Sequence, residues 1–202
     1  MGEKGKDVEK TQDDNEKEEI IAPFLKGEAI DLLPINFEHI NLYIKWFNLE
    51  ELRMYSRNEF PQTKEEIKKK IKSKEKGEER SILLDIWHKK DKKIIGVCGL
   101  IDINWFNRFA NILIILDPQY QRKSIGTEVG KLLINYGFLE LNLKKIISTI
   151  MEPNISGWKT AEKIGFELEA KLKDEAYVEG KFFPERQYAV FREDWTAVRN
   201  KK

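Results

Sequence analysis

The sequence is short of several things, and each shortage closes off a class of function. One cysteine, Cys98, stands in 202 residues, so no intrachain disulfide is expected and a cytoplasmic protein is the simplest reading. Cys98 sits inside an apolar run, as a buried core thiol would. The two histidines, His39 and His88, are far apart and lack both a His-Glu-x-x-His spacing and a cysteine pair, so no metal is expected. There is no apolar run of about 20 residues to cross a membrane. The charged N-terminus shows no apolar signal stretch, and Lys6 stands where a myristoylation signal needs Ser or Thr. A net charge of only +1 gives no footprint for nucleic acid. No Gly-x-Ser-x-Gly elbow supports serine-hydrolase chemistry. Neither the Walker spacing nor the three-glycine dinucleotide fingerprint occurs.

What is present describes one folded domain. Hydrophobic residues make up 41% of the chain, with 11 Phe, 6 Tyr and 5 Trp, enough for a real core. Charge is uneven. Residues 1–20 hold eight acidic residues and four lysines and read as a disordered tail, while residues 21–202 carry a surplus of five positive charges. That mildly basic body suits an anionic ligand.

The expected elements begin with a strand over Ala29–Leu33, stopped by Pro34. Asn36 caps a helix with Phe37, Ile40, Tyr43, Ile44 and Phe47 on its apolar face. Thr63 to Glu79 reads as a surface helix with Ile67 and Ile71 as a thin stripe, ending near Gly77. Strands follow at Ser81–Trp87, Ile94–Ile103 and Phe109–Leu116, with a charged turn at Lys89–Lys93. A helix from near Thr127, with Val129, Leu132, Leu133, Tyr136 and Leu139 on one face, precedes a β-branched strand at Lys144–Ile150. A short helix with Trp158, Ala161 and Ile164 and two final strands complete the chain. The expected fold is mixed α/β. Its central sheet is mostly antiparallel, with one parallel strand-helix-strand unit made by a right-handed crossover and helices at the flanks.

The most telling segment is 112–138. An apolar strand ends at Asp117-Pro118, a basic loop follows, and a helix begins. Free N–H groups of a first helical turn, the helix dipole, and the charges of Arg122 and Lys123 together make an anion site suited to phosphate or pyrophosphate.

Gln121-Arg122-Lys123-Ser124-Ile125-Gly126 resembles the Gln/Arg-x-x-Gly-x-Gly/Ala loop of the GNAT acetyltransferases, with Ser124 in place of the first glycine. Asn154, the helix after it and Gly165-Phe166 keep the family's spacing. Ile94–Leu100 looks like its third strand. Gly180–Phe183, Tyr188–Val190 and Arg192–Trp195 look like the terminal hairpin of the branch holding ribosomal-protein N-terminal and spermidine acetyltransferases. The resemblance spans roughly residues 27–195.

That resemblance implies a single-domain N-acetyltransferase using acetyl-CoA and no metal. The pyrophosphate would lie on Gln121, Arg122, Lys123, Ser124, Ile125, Gly126 and Thr127. Backbone groups of Ile114, Ile115 and Leu116 would polarise the thioester and, with Asn154, hold the pantetheine arm. If the loop needs φ > 0 at Ser124, the serine costs about 1–2 kcal/mol, which its hydroxyl could recover in part on a phosphate. The usual proton handlers are displaced: Ala161 replaces a tyrosine, Gly157 a serine, Asn111 a glutamate and Pro184 an aspartate. Ser156 and Tyr188 remain as candidate acids, Asp102 and Glu185 as candidate bases. Without a strong base, an α-amine of pKa near 8 is the easier acceptor than an amine near 10.4. The expected acceptor is therefore a peptide N-terminus. The alternatives are a polyamine or other small-molecule amine, whose pocket Asp102, Glu152, Glu179 and Glu185 could make acidic, or a non-catalytic CoA-binding or partner-binding module. Either a monomer or a homodimer is compatible with the sequence.

Overall fold

A computed structural model describes residues 22–55, 60–72 and 80–199. The expected tail over 1–20 and the expected helix end near Gly77 lie outside them. The described residues form one eight-stranded sheet. Its strands are β1 (Leu25–Lys26), β2 (Ile30–Pro34), β3 (Ile82–His88), β4 (Lys93–Asn104), β5 (Phe109–Leu116), β6 (Lys145–Met151), β7 (Glu167–Val178) and β8 (Lys181–Phe191). The spatial order is β1-β2-β3-β4-β5-β6-β8-β7, and only β5 and β6 pair in parallel. The helices are α1 (Ile40–Asn48), α2 (Glu50–Arg53), α3 (Lys64–Lys72), α4 (Ile125–Leu139), α5 (Ile155–Ile164) and α6 (Arg192–Arg199).

The sheet has a buried cluster on each face, because neighbouring residues of a strand point opposite ways. Leu32 joins the cluster under α4, with Ile86, Cys98, Val129, Leu133, Ile134 and Phe138. Leu33 joins the one under α1 and α3, with Tyr43, Trp46, Ile67, Ile71, Val97 and Ile115.

Several boundaries differ from expectation, each for a packing reason. Asn36 caps a single 3-10 turn, Phe37–His39, that leads into α1, and α1 buries Trp46 rather than Phe47 or Ile44. Helix α4 starts two residues earlier than Thr127 because Ser124 is its N-cap, and Leu139 is exposed while Ile134 and Phe138 fill the core. Arg192–Trp195, expected within a terminal hairpin, opens α6 instead. Arg192 there donates to Asn142 and to the Phe138 carbonyl, and Trp195 Nε1 donates to Asn135.

Candidate active site

The parallel seam is short. β5 and β6 are in register only at Phe109↔Lys145, Ala110↔Ile146 and Asn111↔Ile147. Beyond Asn111 both strands continue, β5 to Leu116 and β6 to Met151, and the two diverge. Ile114, Ile115 and Leu116 therefore lie on the open part of β5, still paired on their other side with β4. That leaves a strand edge with peptide groups directed at a split, where an extended amide chain can pair.

The anion loop closes the end of that split. Asp117 caps the turn Pro118–Tyr120 by accepting from the Gln119 N–H, and the Gln121 amide donates to the Leu116 carbonyl. Arg122 and Ser124 both occupy the left-handed region, at φ 59° and 61°. The conformation that favours glycine is thus present at Ser124, which carries the strain. Ile125, Gly126 and Thr127 form the first turn of α4, with Ser124 as N-cap. Arg122, Lys123 and Ser124 are exposed. Lys123, however, lies over the Tyr120 ring, its Nζ 5.0 Å from the centroid, beside Lys93 at 5.1 Å.

Helix α5 forms the other wall. Asn154 is its N-cap, accepting from the Gly157 N–H at 2.9 Å, and Ser156 Oγ donates to the same Asn154 oxygen at 3.2 Å. Trp158, one turn in, escaped the sequence reading as anything but core. Its ring lies 4.6 Å from the Arg186 guanidinium, and Arg186 is opposite Ile150 on the open part of β6. Its Nε1 is buried without a hydrogen-bond partner. An orphaned donor costs about 1–3 kcal/mol, and it fits a ligand with amide carbonyls, as the pantetheine arm of CoA has.

The four candidate acids and bases are not gathered together. Asp102, exposed and at φ 50°, accepts from Asn111 Nδ2 on the closed side of the seam. Glu185 faces Met151 on the open side, roughly 16 Å away along the strands at 3.3 Å per residue. Glu185 is 2% exposed. Tyr188 is fully buried and donates to Glu162 Oε1 at 2.9 Å. Burial raises its pKa, with Arg186 pulling it down and Glu162 pushing it up, so the phenol holds its proton. The acidic set offered for a polycation is also scattered. Glu152 is paired with Arg186 and Lys171, and Glu179 sits in the β7–β8 turn.

Two carboxylates missed in the sequence organise the α1 side. Asp85 on β3 is fully buried, accepts from Tyr43 Oη at 2.7 Å and from the Asn36 N–H at 3.3 Å, and has His39 Nδ1 at 2.7 Å. Burial raises its pKa despite those partners, and burial also drives the Tyr43 hydroxyl up, with the Asp85 charge adding to it. Asp117 takes bonds from Lys45 and from Trp46 Nε1, both on α1, at 2.9 and 3.1 Å. Burial opposes its ionisation, but these bonds hold it below the ordinary aspartate value. The anion loop and the first helix therefore share one carboxylate. Past α1, Met54 and Phe183 pack against the buried cluster of Met151, Ala176 and Val178, and Met151 is the register partner of Glu185.

A split parallel seam with an anion loop at its end is the layout of an acyltransferase that binds CoA, and the comparisons agree. The acetyltransferase (GNAT) domain family matches residues 30–167, and the chain belongs to that family. Spermidine N(1)-acetyltransferase of Escherichia coli strain K12 is 31% identical over 107 residues, 53% of this chain and 58% of that protein. The chain thus spans little more than half the length of that relative. Mouse alpha/beta-tubulin-N-acetyltransferase 9 is 27% identical over 152 residues, 70% of this chain and 63% of that protein. In shape, the chain resembles Vibrio cholerae spermidine N-acetyltransferase, solved with CoA and spermine. The TM-score is 0.76 at 21% identity, over 83% of this chain and 98% of that one.

Proposed function

We propose that this chain is an N-acetyltransferase that moves the acetyl group of acetyl-CoA to a primary amine of a spermidine-class polyamine. The observation that carries the acceptor is the 31% identity to a spermidine acetyltransferase. The peptide N-terminus expected from the missing base becomes the second reading, supported to the extent that one relative is named for a protein, tubulin, as its acceptor.

In this reading the pantetheine arm lies along Ile114–Leu116, with Asn154 and Trp158 beside it and the pyrophosphate on residues 121–127. The amine nitrogen attacks the thioester carbon, the C–N bond forms, and the C–S bond breaks. Strand N–H groups stabilise the oxyanion between those events. CoA leaves as a thiolate, and the second proton shed by the acylated nitrogen passes to that sulfur, giving the amide and the free thiol. A polyamine amine with pKa near 10.4 arrives charged and needs a proton acceptor. Glu185 takes that role here, because among the four candidates it is the carboxylate on the open side of the seam.

Turnover of acetyl-CoA against spermidine, a peptide with a free N-terminus, an internal lysine peptide and an aminoglycoside tests this. Spermidine should be fastest, and Glu185→Gln should slow it about 10²-fold or more. A faster peptide N-terminus, with Glu185→Gln nearly silent, moves the assignment to the second reading. CoA binding without turnover on any acceptor leaves a non-catalytic module.

A further inference from the structure

The loop is held from the opposite face of the sheet. Helix α1 packs on the face that carries Val97 and Ile115, while α4 packs on the other. Two side chains of α1, one turn apart, reach carboxylates that belong to different strands. Tyr43 donates to Asp85 on β3 at 2.7 Å, and Trp46 Nε1 donates to Asp117 Oδ2, just past the end of β5, at 3.1 Å. Both rings are buried. A buried indole needs a partner for its N–H, and Asp117 supplies it. Lys45 Nζ donates to the same oxygen at 2.9 Å. The helix is thus fastened at two points with β4 between them, so its place over the sheet is fixed.

Asp117 is also the residue from which the loop leaves the sheet. Its N–H donates to the Ile95 carbonyl at 2.8 Å, and its own carbonyl accepts from the Tyr120 N–H at 2.8 Å. Its Oδ1 accepts from the Gln119 N–H at 3.2 Å. The two carboxylate oxygens divide their roles: Oδ1 shapes the turn, and Oδ2 ties that turn to α1. Residues 121–127 set out from there. The carboxylate also puts a negative charge at the start of a loop suited to anions, and the Lys45 ammonium offsets it. Glu128, in the helix after the loop, accepts from the backbone N–H groups of Glu28 and Ala29.

We infer that Lys45 and Trp46 are positioning residues for the cofactor: through Asp117, and from the far face of the sheet, they fix the turn that aims the loop. This rests on the acetyl-CoA reading above. A binding loop is only as precise as the side chains that brace it. The brace should therefore show in affinity for CoA and not only in stability.

Titration calorimetry of the full chain with CoA tests this, with thermal melts of each ligand-free variant to establish that folded protein is titrated. Lys45→Met removes a half-exposed ammonium and should weaken CoA about fivefold while the ligand-free melting temperature holds. Lys45→Arg should restore most of that affinity. Trp46→Phe keeps a ring in the cluster, loses the N–H, and should weaken CoA by a similar factor. Asp117→Ser can still cap the turn but is too short to reach α1. In that background Trp46→Phe should cause little further loss of affinity, because the indole acts through the carboxylate. Full CoA affinity in Lys45→Met, or an undiminished loss from Trp46→Phe once Asp117→Ser is present, would overturn the inference. Wild-type protein that binds no CoA would instead overturn the acetyl-CoA reading, an outcome distinct from these.

Discussion

The two halves of the site are built from different materials. In the proposed reading the cofactor half centres on one continuous stretch, Ile112 to Thr127, with Asn154 and Trp158 beside it, and that stretch offers peptide groups: a strand edge, a loop with two left-handed residues and a helix N-terminus. The acceptor half is assembled from side chains on separate elements, several already engaged. Tyr188 is tied to Glu162 and Ser156 to Asn154, and on the α1 side Asp85 is tied to Tyr43 and His39. A site made of backbone should tolerate changes of side chain wherever the backbone conformation is kept, as it is at Ser124. A site made of side chains depends on each partner across the fold.

That difference can be tested by attacking each half with the kind of change it should resist least. The largest effect is expected on the α1 side. Asp85→Ala strips a buried carboxyl from three partners and should cost about 3–5 kcal/mol, read as a lower midpoint in urea unfolding. A loss below 1 kcal/mol would mean the cluster is not structural. On the cofactor side, Gly126→Pro removes one N–H from the first turn of α4, where the N–H has no intrahelical partner to lose. It should weaken CoA about 10- to 100-fold, the range for a lost bond to a charged group, with the fold retained. Gly126→Ala, which keeps the N–H and meets neighbours no closer than 3.7 Å, should bind nearly normally. Equal losses from both would show that shape rather than the peptide donor matters.

Trp158→Phe should separate ligand binding from stability by sign. It removes an unpartnered buried N–H, so the ligand-free protein should be as stable or slightly more so, while CoA weakens a few-fold. A ligand-free protein destabilised by more than 1 kcal/mol would contradict an orphan donor. The smallest effect concerns pH. Asp117, held below its ordinary value, adds stability that is present above about pH 4, its unfolded value, and is lost as pH falls through its native one. Asp85, raised by burial, does the reverse: its native form takes up a proton first and gains relative stability on acidification. In urea unfolding between pH 5 and 3, Asp117→Asn should flatten the acid loss and Asp85→Asn should steepen it. The opposite pattern would reverse the assigned directions.

How much of this could be read from residues alone follows the same division. Strand, basic loop and helix are local, so their order was legible from 112–138, and the left-handed residue at Ser124 stood there as a condition set by the resemblance. The mixed sheet followed from the run lengths. Asp85 was not legible, because its meaning lies in Tyr43, 42 residues away, and in a row of the sheet that buries it. Trp158 looked like core spacing, and only the placement of its Nε1 sets it apart. Asp102 and Glu185 were equal candidates until the register set them on opposite sides of the seam.

The three-pair seam has a consequence for the molecule as an object. Past Asn111 the sheet has an edge in its middle: β1 to β5 form one half, β6, β8 and β7 the other, joined by three rungs and the helix α4. Exposed strand edges invite pairing with whatever extended chain is offered. In the proposed reading the amide-bearing arm of CoA fills that place, so the cofactor serves as a ninth, non-peptide strand that sews two half-sheets together. Amide exchange along Ile112–Leu116 should then slow when CoA is added, in step with occupancy, making the co-substrate part of the architecture as well as part of the chemistry.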